Sequence, residues 1–511
     1  MPGLTDNLYL LTPEFALAGL ALLVFAVDLF LPEERKHLLG WLSILGLLGL
    51  IVLSLLLLPG READLYGGLL AVDDFSLFFK IFFMGIGVFI ILSSIDYVRL
   101  HLNNPGEFYG LLLFSLLGMN LMAQSRELLT AYIALELLSF SLYILVAYAL
   151  RDPRSNEASL KYIIIGALSS AIMLYGISMV YSSLGVTRFE AISAALSSVT
   201  PFSPALWVGL ALLVAGLGFK LSVVPFHMWA PDAYEGAPLP VTAYLAIASK
   251  AAAFALVLRL FAEALVPATD RWEQWQIIFA VLAALTMLVG NLVALAQRNI
   301  KRLMAYSSIG HVGFVLAGVT ALASDSLLGA NGVIFYLVGY SVTSMVTFAA
   351  LISFFNLTGQ EEIADFAGLA DRQPFLAAAL AISLFSLAGL PIFAGFTIKF
   401  YLFTAVADAG FLWLATLAII TSLIALYYYL QVIRQMYIEP SPVPGAAQEV
   451  TGGQHGHDSG PAPVLDALPR PSSALLVVLG LGLVAVLWLG VYPAPLLEAI
   501  EAASQAILPG A

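Results

Sequence analysis

The chain has 511 residues, of which 61% are hydrophobic and 11% charged, and its formal net charge is −12. A soluble domain carries about a quarter charged residues, so this composition excludes an ordinary water-soluble protein and predicts an integral membrane protein. The acidic balance argues against nucleic-acid binding. The absence of cysteine excludes disulfides, thiolate-held iron–sulfur clusters and thiolate zinc sites in this chain.

Apolar segments long enough to cross a bilayer follow one another along nearly the whole chain. They predict an all-α integral membrane fold of about 14 transmembrane helices. The first segment is expected to be retained rather than cleaved, because no basic residue precedes it. The predicted segments are 14–31, 38–58, 75–97, 107–124, 127–149, 158–184, 203–224, 239–265, 273–297, 300–323, 328–355, 374–406, 408–437 and 473–493.

The orientation follows from the basic residues of the short loops. Most of them fall on one side of the predicted membrane, among them Arg35, Arg99, Arg151 and Arg302. The positive-inside rule places that side in the cytoplasm. An even number of helices then predicts that both termini lie outside.

Residues 439–473 form the one substantial polar insertion, and the segment is rich in Pro, Gly and Ala. His455 and His457 allow a metal site there, but two histidines without fixed geometry favour a flexible cytoplasmic linker. Residues 474–511 then contain the fourteenth helix and a tail.

Four ionisable residues lie well inside predicted helices: Glu136, Lys220, Lys250 and Lys399. Each charge at mid-bilayer costs about 2.5–3.5 kcal/mol, so these groups must be paired, hydrated or neutralised. Desolvation disfavours the charged form of both Lys and Glu, which makes such groups suitable for proton exchange.

Structural interpretations compete with this one. Lys80 and Arg259 lie closer to helix ends, so we expect their charged heads to reach the headgroup region. Lys161 is intermediate, because it falls in the first turns of predicted helix 6. The deep Lys and Glu side chains could also pair only to fix helix packing.

Two predicted helices are interrupted. Helix 7 runs into a segment with Pro225 and Pro231, and helix 12 contains Gly389 and Pro391. Broken helices beside charged residues are typical of transporters built from inverted repeats. We therefore predict two inverted five-helix repeats, helices 4–8 (107–265) and helices 9–13 (273–437), after the N-terminal helices 1–3 (1–106). The offset from Lys220 to Lys399 also takes Glu136 close to His311.

Three motifs support a specific resemblance. The run Val224–Pro238, with Lys220 before it and Lys250 after it, resembles the signature of the antiporter-like subunits of respiratory complex I. Mrp-type cation/proton antiporters and membrane-bound hydrogenases share that signature. The runs Asn299–His311 and Gly395–Lys399 are further matches, and the similarity extends from about predicted helix 3 to helix 13.

Three features favour subunit N within that superfamily. The run Lys161–Ser170 resembles its sixth-helix motif, Lys399 replaces the Glu of subunit M, and the lateral helix of subunit L is missing. The resemblance implies a proton-translocating subunit of a bacterial inner-membrane NADH–quinone oxidoreductase. Subunits K and M would be its neighbours, and the chain would contain no redox centre. FMN, iron–sulfur clusters and quinone would be bound by partner subunits.

The resemblance also implies a role for each charged residue. Glu136 would pair with Lys220 and tune it, Lys220 would take a proton from the cytoplasm, Lys250 would relay it and Lys399 would release it outward. Lys161, His227 and His311 would be auxiliary residues. The alternative is an Mrp-type sodium/proton antiporter subunit, and sodium dependence of transport separates the two functions.

Overall fold

The fold is helical almost throughout, as described in a computed structural model for residues 7–198, 203–267, 269–323, 325–440 and 470–508. Most of the predicted linker, including His455 and His457, lies outside the described residues. The helices are α1 Thr12–Asp28, α2 Leu38–Leu57, α3 Asp74–His101, α4 Pro105–Gln124, α5 Leu128–Val146, α6 Pro153–Leu184, α7 Phe189–Ser198, α8 Pro204–Leu221, α9 Trp229–Gly236, α10 Leu239–Tyr244, α11 Lys250–Leu260, α12 Thr269–Ala294, α13 Ile300–Thr320, α14 Leu328–Thr358, α15 Leu369–Arg372, α16 Pro374–Ala388, α17 Ala394–Asp408, α18 Leu412–Tyr437, α19 Ser473–Val491 and α20 Ala494–Ile507.

Within the described ranges, 13 helical segments are long and apolar enough to cross a membrane. They correspond to 13 of the predicted segments, and the predicted segment 374–406 consists of the two shorter helices α16 and α17. A π-helical turn, Leu245–Ser249, joins α10 and α11 into one continuous segment, Leu239–Leu265. The predicted all-α membrane fold is therefore confirmed.

The interior of the bundle is formed by the Leu239–Leu265 segment together with α13 and α14, which are almost wholly buried. The outer helices α2, α18 and α19 turn much of their apolar surface outward, as expected where lipid is the solvent. Charged residues on the interior helices are consequently shielded from lipid by a layer of protein.

Both predicted helix breaks are present. α8 ends at Leu221, Ser222 adopts a left-handed conformation with φ 65°, and the chain passes through a cis Val224–Pro225 bond before α9 begins. α16 ends at Ala388, Gly389 follows it with φ 91°, and α17 starts at Ala394. Each break leaves terminal backbone groups without helical partners inside the protein.

The elements outside the predicted spans include the short helices α7, α9 and α15 and two that bear on the packing of the N-terminal helices. An antiparallel hairpin, β1 Ala63–Leu65 and β2 Leu70–Val72, connects α2 to α3. The amphipathic helix α20 buries Ile500 and Ile507 and packs against α3 and α14. The sequence search missed both, because it looked for long apolar runs.

Candidate functional site

The three deep lysines share one property. Lys220, Lys250 and Lys399 are 2%, 3% and 5% exposed, respectively. Within the described residues, none of them forms an ion pair with a carboxylate, and hydroxyl or carbonyl oxygens contact their Nζ atoms instead. Such contacts stabilise an ammonium group less than an opposite charge does, so the neutral form is not strongly disfavoured.

Lys220 lies in the last turn of α8, directly before the break. Its Nζ donates to Ser139 Oγ on α5 at 2.9 Å. The negative end of the α8 dipole faces the ammonium group and supplies part of its stabilisation. A helix that continued past Leu221 would lack this terminus.

Glu136 lies one helical turn before Ser139 on α5 and is only partly buried. It accepts a hydrogen bond from Ser170 on α6 at 2.5 Å. No direct ion pair joins it to Lys220 in this part of the structure, where Lys220 Nζ contacts Ser139 instead. Ser139 is therefore the direct partner of Lys220, which the sequence analysis did not anticipate.

Lys250 follows the π-helical turn, a kind of local distortion that is frequent at functional sites. Its Nζ contacts Ser308 Oγ on α13. The same ammonium lies 5.6 Å from the centre of the Tyr234 ring, within cation–π range. Lys250 thus connects the break after α8 with helix α13.

His311 lies on α13, one turn after Ser308. Its Nδ1 is 2.6 Å from the Tyr336 hydroxyl, and its Nε2 is 3.4 Å from the Tyr429 hydroxyl. A further turn along the same helix, Phe314 stacks under Lys399, with Nζ 5.3 Å from the ring centre. One face of α13 therefore leads from the Lys250 contact through His311 to the Lys399 contact.

Lys399 contacts the backbone at the second helix break, where α16 ends. Its Nζ donates to the carbonyl groups of Leu387 and Ala388, at 2.7 and 3.1 Å, and to Ser422 Oγ at 2.7 Å. These carbonyls are free because α16 stops there, as predicted for a broken helix beside a charge. A cavity of ≈ 500 Å³ between α17 and α18 also reaches this lysine.

Gly389 allows this approach of Lys399 to the end of α16. Its φ of 91° is strained for other residues, and a Cβ there would lie 3.0 Å from Lys399 Cδ. The glycine is thus needed both for the turn and for the packing of the lysine.

Lys161 lies elsewhere, on a half-exposed surface. It pairs with Glu157 at 2.8 Å and with Asp232 on α9 at 3.0 Å, and Asp232 also pairs with Arg302 at 2.8 Å. Burial raises the pKa of Asp232, but hydrogen bonds from Lys161 and Arg302 outweigh it and hold the pKa below its usual range. Lys161 therefore tethers α6 to the segment after the α8 break.

His227 lies in that segment, between α8 and α9, and is 8% exposed. Its Nδ1 has no hydrogen-bond partner among the described residues. Nearby, Trp229 Nε1 donates to the carbonyl of Phe219, which fixes the segment against the end of α8. His227 is thus held close to the α8 break, with one ring nitrogen free for a ligand.

The expectation that Lys80 and Arg259 reach the headgroups is wrong. Both side chains are fully buried. Lys80 Nζ pairs with Glu14 at 2.6 Å, and Arg259 pairs with Asp73 at 2.8 Å and Glu263 at 3.1 Å. Position near a helix end did not reveal the acidic partners, of which Glu14 and Asp73 come from distant parts of the sequence.

The hydroxyl groups around the lysines were also missed. Serine and tyrosine are common in membrane helices, so their residue type gives little signal. Spacing would have found some of them, because Ser139 and Ser308 each lie three residues from a residue that was singled out. The missed hydroxyl residues are Ser139, Ser170, Ser308, Tyr336, Ser422 and Tyr429.

This fold and its interior lysines define an antiporter-like membrane protein, in which broken helices present ionisable groups at membrane depth. Residues 125–425 match the family described as NADH:quinone oxidoreductase/Mrp antiporter, TM. A chain in the Mrp complex from a Dietzia species shares the fold, with a TM-score of 0.83 at 23% identity, and 98% of each chain is covered.

The relatives with higher sequence identity are more specific. The chain is 40% identical to NADH-quinone oxidoreductase subunit N of Heliobacterium modesticaldum, with 98% of this chain and 100% of the relative covered. It is 31% identical to a chain of respiratory complex I from Thermus thermophilus, with a TM-score of 0.76, covering 96% of this chain and 100% of that one. The chain belongs to the subunit N family of NADH-quinone oxidoreductases.

Proposed function

We propose that this chain translocates protons from the cytoplasm to the outside, driven by quinone reduction in other subunits of an NADH-quinone oxidoreductase. The single observation behind the proposal is that Lys220, Lys250 and Lys399 are buried and have no carboxylate partner among the residues that the structure describes. A lysine in such a site can lose and regain a proton at modest cost, whereas an ion-paired lysine is held charged.

The proposed path begins at Lys220, which takes up a proton at the end of α8. Glu136 favours the charged form of Lys220 through space, and loss of that attraction would release the proton. Lys250 and His311 then pass it along α13, with the Tyr336 and Tyr429 hydroxyls as hydrogen-bond partners. Charge on one group lowers the proton affinity of the next, so transfer proceeds stepwise.

Lys399 is the proposed terminal carrier. The carbonyl groups at the end of α16 stabilise the charged form of Lys399. The ≈ 500 Å³ cavity beside it gives the released proton a route away from α13. His227 and Lys161 are proposed to assist uptake, since both belong to the region around the α8 break. In this proposal the two five-helix repeats each contribute one broken helix and its lysine.

The redox steps belong to partner subunits in this proposal. With no cysteine in the chain, thiolate-bound iron–sulfur clusters must be held elsewhere, together with FMN and quinone. The proposed neighbours in the membrane are subunits K and M. A pull-down in mild detergent tests this assembly, and recovery of Mrp-type partners without flavin or iron–sulfur subunits would contradict it.

The direct test is proton pumping by the complex in proteoliposomes. We expect Lys220→Ala and Glu136→Ala each to lower the ratio of protons moved to NADH oxidised, with normal assembly. Arg99→Ala is the matched control, because Arg99 is a surface cation with a 64% exposed side chain. Normal ratios in both variants would exclude the proposed path, and pumping that requires sodium would favour an antiporter.

A further inference from the structure

The buried Lys220, Lys250 and Lys399 together form the lysine row. A second group of buried charges lies outside it, among the N-terminal helices. Glu14 in the first turn of α1 and Lys80 on α3 form an ion pair at 2.6 Å. Gln124, the last residue of α4, donates from Nε2 to the same Glu14 oxygen, Oε1, at 2.6 Å. All three residues are at most 4% exposed, so water at the surface does not satisfy their polar atoms.

The remaining polar atoms of this group have no partners in the described structure. Glu14 Oε2 and Gln124 Oε1 accept no hydrogen bond, and Lys80 Nζ contacts Glu14 ionically without donating an aligned one. Asn120 lies one helical turn before Gln124 on α4, and its Oδ1 is also unpaired and buried. Each such buried group costs about 1–3 kcal/mol, so a further small ligand is expected at this position.

The donors and acceptors indicate what that ligand is. Three oxygens need hydrogens, and the Lys80 ammonium has hydrogens without acceptors. A water molecule answers most of both needs, since it accepts from Lys80 and donates to two of the three oxygens, the usual pattern for buried water. A metal cation would fit less well, because the positively charged Lys80 lies against Glu14.

We propose that Glu14, Lys80, Gln124 and Asn120 form a second proton-binding site, occupied by one water molecule and separate from the lysine row. On protonation, a hydronium ion at the water position transfers its proton to Glu14 Oε2, which leaves a water molecule and a neutral carboxylic acid beside charged Lys80. On release, the carboxylic acid returns the proton to that water.

An apolar cluster separates this site from the nearer surface. The cluster consists of the N-terminal turn, the hairpin and the end of α2, and it packs against Leu77 and Leu121. Leu77 lies one turn before Lys80 near the start of α3, and Leu11 lies one turn before Glu14 at the start of α1. The cluster therefore lies between the site and the ends at which these two helices begin. Its buried members are Leu10, Leu11, Leu58, Leu65, Leu70 and Val72.

A chain of charged side chains links the site to a partly exposed residue. Arg259 Nε donates to the carbonyl of Ala123, the residue next to Gln124, at 2.7 Å. Arg259 pairs with Glu263, and Glu263 pairs with Arg126, whose side chain is 30% exposed. The other charged groups on helices packed against α3 are Glu107 on α4, Lys250 on α11, and Glu498 and Glu501 on α20.

Infrared difference spectroscopy of the purified complex, titrated with acid, tests the proposal. We expect a protonated-carboxyl band and a water band sensitive to H₂¹⁸O, both lost in Glu14→Gln. Both bands should remain in Glu361→Gln, the matched control, because Glu361 forms a comparable ion pair with Lys301 at 2.7 Å and is not among the described residues with buried unpaired atoms. They should also remain in Lys220→Ala, which distinguishes this site from the lysine row.

Bands that persist in an assembled Glu14→Gln complex would overturn the proposal, as would a site signal that depends on sodium. If Glu14→Gln fails to assemble, Asn120→Leu provides the second measurement. That variant removes one acceptor and leaves the ion pair, so we expect loss of the H₂¹⁸O-sensitive band. An unchanged water band in Asn120→Leu would overturn the proposal as well.

Discussion

Two regions of this protein bury positive charge in opposite ways. Arg259 donates to both carboxylate oxygens of Asp73 at 2.8 Å, pairs with Glu263 and stacks 4.8 Å from the centre of the Phe75 ring. The ammonium groups of the lysine row directly contact neutral oxygens and aromatic rings in the described part of the chain. Both regions are inside the bundle, so burial alone does not distinguish them.

The difference lies in what each cation can do. Arginine stays protonated in proteins, and a carboxylate on each side makes that charge permanent. Lysine can lose its proton when it is desolvated, and an environment of hydroxyl and carbonyl oxygens tolerates both forms. The Arg259 network is therefore suited to holding helices together, and the lysine row to moving charge.

The largest effect should come from breaking the paired region. Arg259→Ala leaves Asp73 without its cationic partner and Glu263 with Arg126 alone, and breaking such a buried pair costs about 3–5 kcal/mol. We expect little folded complex, measured as the yield and melting temperature in mild detergent. Arg126→Ala is the control. Because the Arg126 side chain is partly exposed, its loss should lower the yield and the melting temperature less. A stable, assembled Arg259→Ala complex would contradict the conclusion that the Arg259 network holds the helices together.

Substitution in the row should have the opposite result. Lys250→Met removes a charge that has no ionic partner, so we expect normal assembly and loss of proton pumping. Lys250→Arg keeps the charge but cannot release the proton, and should also fail to pump. Pumping is measured against NADH oxidation in proteoliposomes. Normal pumping by Lys250→Arg would mean that the residue serves only to fix packing.

The sequence predicted the fold well because bilayer thickness sets a length that apolar runs must meet. It also predicted both helix breaks, since Pro225 and Gly389 disrupt helices for local reasons. Partners across the bundle were not predictable. Lys80 was misinterpreted because Glu14 lies on another helix, and Lys220 meets Ser139 rather than Glu136 because side-chain direction depends on how α5 and α8 pack.

A smaller effect is expected from the hydroxyl groups along α13. Tyr336→Phe removes the hydrogen-bond partner of His311 Nδ1 but keeps the ring. Water or Tyr429 can still form a hydrogen bond with His311, so we expect a partial fall in pumping rate. The rate should fall roughly several-fold, which corresponds to the loss of one hydrogen bond. Initial rates of acidification measure it. A loss as complete as in Lys250→Met would show that Tyr336 itself belongs to the path.

The smallest effect concerns the surface pairs of Asp232 with Lys161 and Arg302, which link α6, α9 and α13. Because the folded pKa of Asp232 is lowered, its stabilising contribution is present above the unfolded value of about 3.9 and is lost as pH falls through the folded pKa. Asp232→Asn should therefore melt slightly earlier than the parent near neutral pH, and the two curves should converge under acid. Added salt should narrow the difference, because these pairs are half-exposed and screened. A difference in melting temperature that persists under acid would show that Asp232 stabilises the fold by packing rather than by charge. In that case the buried ion pairs, such as that of Arg259 with Asp73, would be the electrostatic links between helices, and the surface pairs of Asp232 would not.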